Sequence, residues 1–327
     1  MHNLFKEFFA ELIGTAILML LGISGAACTV LTKAPMNLAC AFGYAFGVII
    51  ASIFAGPISG AHINPAITIA FSVIGKFQWR KVPVYLIAQY IGSFIGSALA
   101  YSIYFEAIHG FDLDNGYNND NITEPSMITA GIFITMPANQ HTTILPAIWD
   151  QIISTALLVY AILFIGDELA TPKLLQTLTT GLLILTFIIG FNYNCGAILN
   201  PARDLAPRIL LSFIGYESRV FEPLNYNFWW AVGIVAPHSG AIIGAIGYFY
   251  MAKMRQSFVD GDNIFSLANA DIIQAKSISL NNSSSQENGR IINHHHNHHN
   301  HHHQQQQPSL MTNRQMFHDK VNTEFQQ

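Results

Sequence analysis

The chain has 327 residues, 51% hydrophobic and 10% charged, with a formal net charge of −4. Ordinary soluble domains carry about 25% charged residues, so the composition excludes a soluble protein, and the acidic balance implies no nucleic-acid partner. Cys28, Cys40 and Cys195 are an odd, sparse set that argues against a disulfide framework. They read as unpaired thiols, with a Cys28–Cys40 bridge across a short external loop as the alternative.

Taken in chain order, six apolar stretches occupy about 5–31, 38–58, 83–106, 147–166, 174–194 and 228–252. About 20 helical residues cross a hydrocarbon core of roughly 30 Å, so each is predicted to be a transmembrane helix. The first lacks a cleavage-site pattern and reads as a span, not a signal peptide. Two shorter pieces, 64–74 and 200–213, follow the second and fifth spans. At 1.5 Å per residue they reach only about 16–20 Å, half a membrane. Such pieces are tolerated only where protein buries them or water lines them.

Each short piece opens with the same triplet, Asn64-Pro65-Ala66 and Asn200-Pro201-Ala202, after a Gly-Ala pair. Asn is a preferred N-cap, and Pro fits the first turn because its missing N–H would be unpaired there. A helix starting at mid-membrane points unpaired N–H groups and a positive dipole end into a region without bulk water. Two such starts imply two half-helices meeting at one polar cavity. The halves repeat: Glu11 opens one with Ala-Glu-Leu-Ile-Gly-Thr, and Gln151 opens the other with Gln-Ile-Ile-Ser-Thr. Each half, about 5–106 and 147–252, holds three spans. Three is odd, so the halves are inverted relative to each other, which places a shared site near the bilayer midplane. The fold class is therefore all-α integral membrane, with six transmembrane helices, two re-entrant half-helices and an inverted repeat.

Lys6, Lys76, Arg80, Lys81, Lys173, Lys253 and Arg255 share one side if both termini are cytosolic; Lys33, Arg208 and Arg219 fall on the other. The positive-inside rule favours that orientation. The sequon at Asn121, a glycosylation candidate, then lies outside. Residues 1–253 form the expected membrane domain. Residues 254–327 are polar, with eight histidines in 294–303, and cannot bury a core; they read as a disordered cytosolic low-complexity tail.

The segments Ser59-Gly60-Ala61-His62-Ile63-Asn64-Pro65-Ala66-Ile67-Thr68 and Gly196-Ala197-Ile198-Leu199-Asn200-Pro201-Ala202-Arg203-Asp204 resemble the two signature loops of the aquaporin family, the major intrinsic proteins. The resemblance covers about residues 5–253. It implies a homotetramer in lipid with one pore per subunit. Asn64 and Asn200 would be central donors. Carbonyls of Ala61, His62, Ile63, Ala197, Ile198 and Leu199 would form an acceptor ladder. Arg203 would be the filter arginine, with Tyr44, Ala197 and either Phe187 or Ile188 around it. The span-five register is open because 191–196 is one residue longer than the family pattern. Asp204 followed by Arg208, and Gly233-Ile234 in the last span, resemble the glycerol-conducting branch. The filter histidine of strict water channels is missing. The expected function is a passive channel for water, with glycerol or another small neutral solute as a second cargo, excluding ions and protons. No cofactor, metal or enzymatic step is implied. The expected location is the plasma membrane or an internal vesicle membrane.

Glu11 is expensive inside a membrane unless paired, and reads as a structural acceptor for loop N–H groups; a proton relay is the alternative. Gln151, where the second repeat usually has Glu, can accept only without charge, and Asp150 is a possible compensator. His62 reads as a hydrogen-bonded loop residue or as a pH sensor. Asp204 reads as paired with Arg208 or a loop N–H, or else as lining the pore. Glu11 and Arg203 are expected to be almost the only buried charges before the tail. Glycines four apart, such as Gly43/Gly47, Gly92/Gly96 and Gly240/Gly244, permit close helix crossings. The loop 167–173, with Thr171-Pro172, and the tail are candidate gates. Two other classes stay open: an alternating-access transporter, and a non-conducting junction or scaffold protein.

Overall fold

Periodic apolar sequence broken by two Asn-Pro starts produces eight helices of nine or more residues in a computed structural model, which describes residues 2–34, 37–117, 124–137, 141–168, 172–223, 228–259 and 273–274. In order they are α1 (His2–Leu31), α2 (Leu38–Ser59), the half-helix α3 (Pro65–Val73), α4 (Val82–Asp114), the single turn α5 (Met127–Ala130), α6 (Ile144–Glu168), α7 (Lys173–Gly190), the half-helix α8 (Pro201–Phe213) and α9 (Phe228–Val259). Six are long and apolar enough to cross a membrane. No strand occurs among the described residues. Residue contacts divide the chain after Val259, and the first unit holds all nine helices. Asn121, Thr171 and the histidine-rich tail lie outside the described residues.

Several spans differ from their sequence-based bounds, and α9 reaches Val259 instead of 252. The third continues to Asp114 because Asp112 ties it to α5: its carboxylate accepts the Thr129 hydroxyl at 3.0 Å and the Ser126 N–H at 3.3 Å. The fifth ends at Gly190, not 194. There the chain turns, with the Gly196 N–H donating to the Asn192 carbonyl at 3.0 Å and Asn194 donating to Asp150 at 2.9 Å. Asn and Gly favour such turns over helix. The three thiols are free.

The inverted repeat is visible in its packing. On α4, any side chain at Gly92 or Gly96 would overlap the carbonyls of Leu12 and Ala16 on α1. On α9, Gly240 and Gly244 stand in the same relation to Ile152 and Ala156 on α6. Leu12 and Ala16 follow Glu11 as Ile152 and Ala156 follow Gln151. The paired glycines let backbones touch, which is how helices pack in lipid without a hydrophobic driving force. Large apolar side chains such as Phe42, Phe46, Ile53 and Ile103 point outward. The two half-helices pack against each other and each against α4.

Candidate functional site

The chain between α2 and α3 is not helical and must satisfy its backbone inside apolar surroundings. Gly60 adopts φ 87°, Ala61 51° and Ile63 43°. A left-handed conformation is costly for a β-branched residue. Glu11 holds the loop in place: its carboxylate accepts the Ser59 hydroxyl (2.6 Å), the His62 N–H (2.9 Å), the Ile63 N–H (2.6 Å) and the Gln89 amide (2.8 Å). The Glu11 carboxylate thus accepts four hydrogen bonds from the loop and from Gln89. In the second repeat Leu199 takes φ 55° at the position matching Ile63. Gln151 supports it: Oε1 accepts the Ile198 and Leu199 N–H groups at 2.9 and 3.3 Å, and Nε2 donates to the Gly196 carbonyl at 2.9 Å. A neutral amide therefore replaces the carboxylate, because one loop needs acceptors only and the other needs an acceptor and a donor. Asp150 does not compensate from the site; its one bonded oxygen faces Asn194.

These strained residues aim two asparagines at each other's loops. Asn64 Oδ1 caps α3 through the Ala66 N–H (2.9 Å), and Asn200 Oδ1 caps α8 through Ala202 (3.0 Å) and Arg203 (3.3 Å). Asn64 Nδ2 then donates to the Leu199 carbonyl at 2.9 Å, and Asn200 Nδ2 to the Ile63 carbonyl at 2.8 Å. The exchange locks both N-termini together. A side-chain amide has two N–H groups, so each asparagine keeps a second donor. The carbonyls of Ile63 and Leu199 each accept one bond in this exchange and keep a second lone pair.

A cavity of about 760 Å³ runs along this junction. At one end it is bordered by Lys76, Asp167 and Lys173, and at the other by Tyr44 and Arg203. Ala61, His62, Ile63, Ala197, Ile198 and Leu199 all border it, opposite apolar residues such as Leu18, Val48 and Ile162. In span five it is bordered by Thr177, Thr180, Ile184 and Ile188 among others, and not by Phe187, which stacks on Phe191 at 5.6 Å. Of the two residues considered for the span-five position, Ile188 borders the cavity.

Arg203 is buried; it donates to the Phe133 carbonyl at 3.0 Å and lies over the Tyr44 ring, 4.6 Å from the centroid. Asp204 does not border the cavity. It binds Arg208 Nε (2.8 Å), the Thr135 N–H (3.1 Å) and the Thr135 hydroxyl (2.6 Å). Arg208 is 0% exposed and also donates to the carbonyls of Thr135 and Val220. This corrects one expectation: Glu7, Asp112, Asp150, Asp204 and Arg208 join Glu11 and Arg203 as buried charges. Gly233 abuts Asp204, where a Cβ would come within 2.7 Å of Oδ2, and it lies in the π-helical turns Ala231–Val235. His62 is buried against Phe77 and Phe71, with Nδ1 3.1 Å from Thr68 Oγ1. The Thr68 hydroxyl also donates to the Asn64 carbonyl at 3.0 Å.

A family model described as Major intrinsic protein matches residues 1–248. The chain belongs to the major intrinsic protein family. Aquaporin-3 of Milnesium tardigradum is 38% identical over 251 residues, 73% of this chain and 74% of that protein. Human Aquaporin-9 is 32% identical over 273 residues, 82% of this chain and 89% of that protein. Among solved structures, the aquaglyceroporin from Plasmodium falciparum superposes with a TM-score of 0.64 at 33% identity, covering 75% of this chain and 95% of that one. This major intrinsic protein is a multi-pass membrane protein of the channel class, not an enzyme.

Two functional contributors in this major intrinsic protein escaped the sequence reading. The segment Thr129–Thr135 supplies the carbonyl for Arg203 and the donors for Asp204, and Ile132, Phe133 and Ile134 are fully buried. Its signal was an apolar run inside an otherwise polar loop. Gln89 and Ser59 complete the Glu11 cluster; both are polar residues within spans, where an isolated polar group is costly.

Proposed function

We propose that this protein is a passive channel for water and for glycerol or similarly small neutral solutes, closed to ions and protons. The observation that carries the reading is the reciprocal asparagine–carbonyl exchange at two opposed half-helix starts, on the wall of a 760 Å³ cavity. Each helix N-terminus carries roughly half a positive charge, so a cation at the junction meets repulsion from both sides. Arg203 adds a full charge at the Tyr44 end. A neutral solute instead finds the second N–H of each asparagine and the loop carbonyls, with apolar residues opposite that do not trap it. The relatives' names, aquaporin and aquaglyceroporin, support water and glycerol as cargo. Ile188 and Ala197 beside Tyr44 and Arg203 give the filter an apolar wall that suits carbon-bearing solutes.

In this reading residues 1–253 are the channel and 254–327 a polar tail. Both termini and the Lys76 end of the cavity face the cytosol, Asn121 faces outside, and four chains assemble in the plasma membrane or an internal vesicle membrane. The Lys76–Asp167 pair at 2.7 Å, braced by the Tyr248 hydroxyl at 2.8 Å, borders the inner mouth, and the 167–173 loop and the tail are the proposed modulators of flux. Equal swelling rates for the full chain, a chain with this loop shortened and a chain ended after Lys253 would remove that modulation.

Purified protein in liposomes tests the main reading. Mannitol gradients are expected to give fast shrinkage, and glycerol gradients fast shrinkage followed by re-swelling. Both rates should rise linearly with gradient size and ignore sodium and proton gradients. Water flux without glycerol flux ends the glycerol half of the proposal. Saturable or gradient-coupled flux means a transporter, and no flux in any truncation means a non-conducting scaffold.

A further inference from the structure

We infer that Gly22 is a specificity-determining position that sets the channel's aperture by accepting the Tyr44 ring; this rests on the channel reading above. The glycines of the α1–α2 crossing fall into two kinds. Side chains at Gly25, Gly43 and Gly47 would meet backbone, at Ala39, Leu21 and Leu18, so these glycines serve helix approach. Gly22 differs. The three nearest atoms to a Cβ there are Cε1, Cδ1 and Cζ of Tyr44, all under 3.0 Å. Glycine is a poor helix residue, and Gly22 lies in the middle of the 30-residue α1, so helix preference does not account for it.

The Tyr44 ring is buried within the main apolar cluster of the helices. Its hydroxyl is buried and has no hydrogen-bond partner among the described residues. Its position is therefore set by contact: α1 at Gly22 and the Arg203 guanidinium over the ring. Tyr44 and Arg203 together border one end of the cavity. A methyl group at position 22 must displace the ring, because a Cβ cannot approach carbon that closely. Directed off α1, the ring moves into the opening it shares with Arg203. Interiors are packed densely enough that one methyl group is felt, and a solute wider than water is the first to be excluded.

The test is Gly22→Ala in liposomes, with Gly22→Ala/Tyr44→Ala beside it, each checked for a monodisperse oligomer and unchanged unfolding temperature. Glycerol permeability is expected to fall about tenfold, the factor that roughly 1.4 kcal/mol of barrier produces, while water permeability falls less than about twofold by the same relation. Removing the Tyr44 ring in the Gly22→Ala background should restore glycerol flux. Loss of both fluxes by one factor, or no recovery in the double variant of an intact oligomer, overturns the inference and makes Gly22 a helix-packing residue. Wild-type protein that conducts neither solute overturns the channel reading itself, and this inference with it.

Discussion

Arg208→Ala is expected to remove most folded protein from the membrane fraction. Arg208 is fully enclosed, and it donates to both oxygens of Asp204 and to the carbonyls of Thr135 and Val220. Truncation leaves a carboxylate that is 1% exposed without its cation and strands two carbonyls. Breaking one side of a buried ion pair costs about 3–5 kcal/mol, a large share of the roughly 5–15 kcal/mol that holds a protein folded. The damage reaches the channel through Thr135, which joins Asp204 to the segment whose Phe133 carbonyl receives Arg203. Unfolding temperature and the monodisperse fraction in detergent measure the effect. Arg208→Leu/Asp204→Leu should be milder than Arg208→Ala, because no charge is left unpaired. An unchanged unfolding temperature for Arg208→Ala would mean that the ion pair does not support the fold.

Glu11→Ala is expected to abolish conduction while leaving the spans inserted. The substitution strips the acceptor from four donors, two of them the backbone N–H groups of His62 and Ile63. Each unsatisfied buried group costs about 1–3 kcal/mol, and the loop already holds Ala61 and Ile63 in left-handed conformations. Once released, Ile63 relaxes, its carbonyl leaves Asn200, and the exchange between the half-helices opens. Water permeability should fall to the level of empty liposomes, a drop of at least about tenfold. Glu11→Gln keeps one acceptor oxygen but turns an amide NH2 group toward two of the four donors, so it should recover only part of the flux. Undiminished water flux in Glu11→Ala would mean that the loop holds its shape without this acceptor.

Much of this molecule could be read along the chain, because lipid imposes local rules. Length and apolarity predicted six crossings, and six form. Asn-Pro predicted where each half-helix starts, since capping and the missing proline N–H act within one turn; both asparagines do cap their helices. An odd number of spans per half predicted inversion, and the matched glycine contacts follow it.

Contacts between distant segments had no such local rule. Asp204 and Arg208 lie four apart on one helix face, so their pairing was foreseeable, but their burial depended on Thr135 and Val220 from other segments. Counting back from Asn200 pointed to Ile188, with Phe187 as the alternative because of the longer 191–196 segment; in the folded chain Phe187 stacks on Phe191 and Ile188 borders the cavity. The loop around Phe133 carries no periodic signal, because its carbonyls act through position and not through side-chain type. Hydropathy and capping operate between neighbours in the chain and so can be read from the order of residues. A carbonyl's partner is chosen by whichever segment packing brings within 3 Å, and that choice is made by the folded helices together.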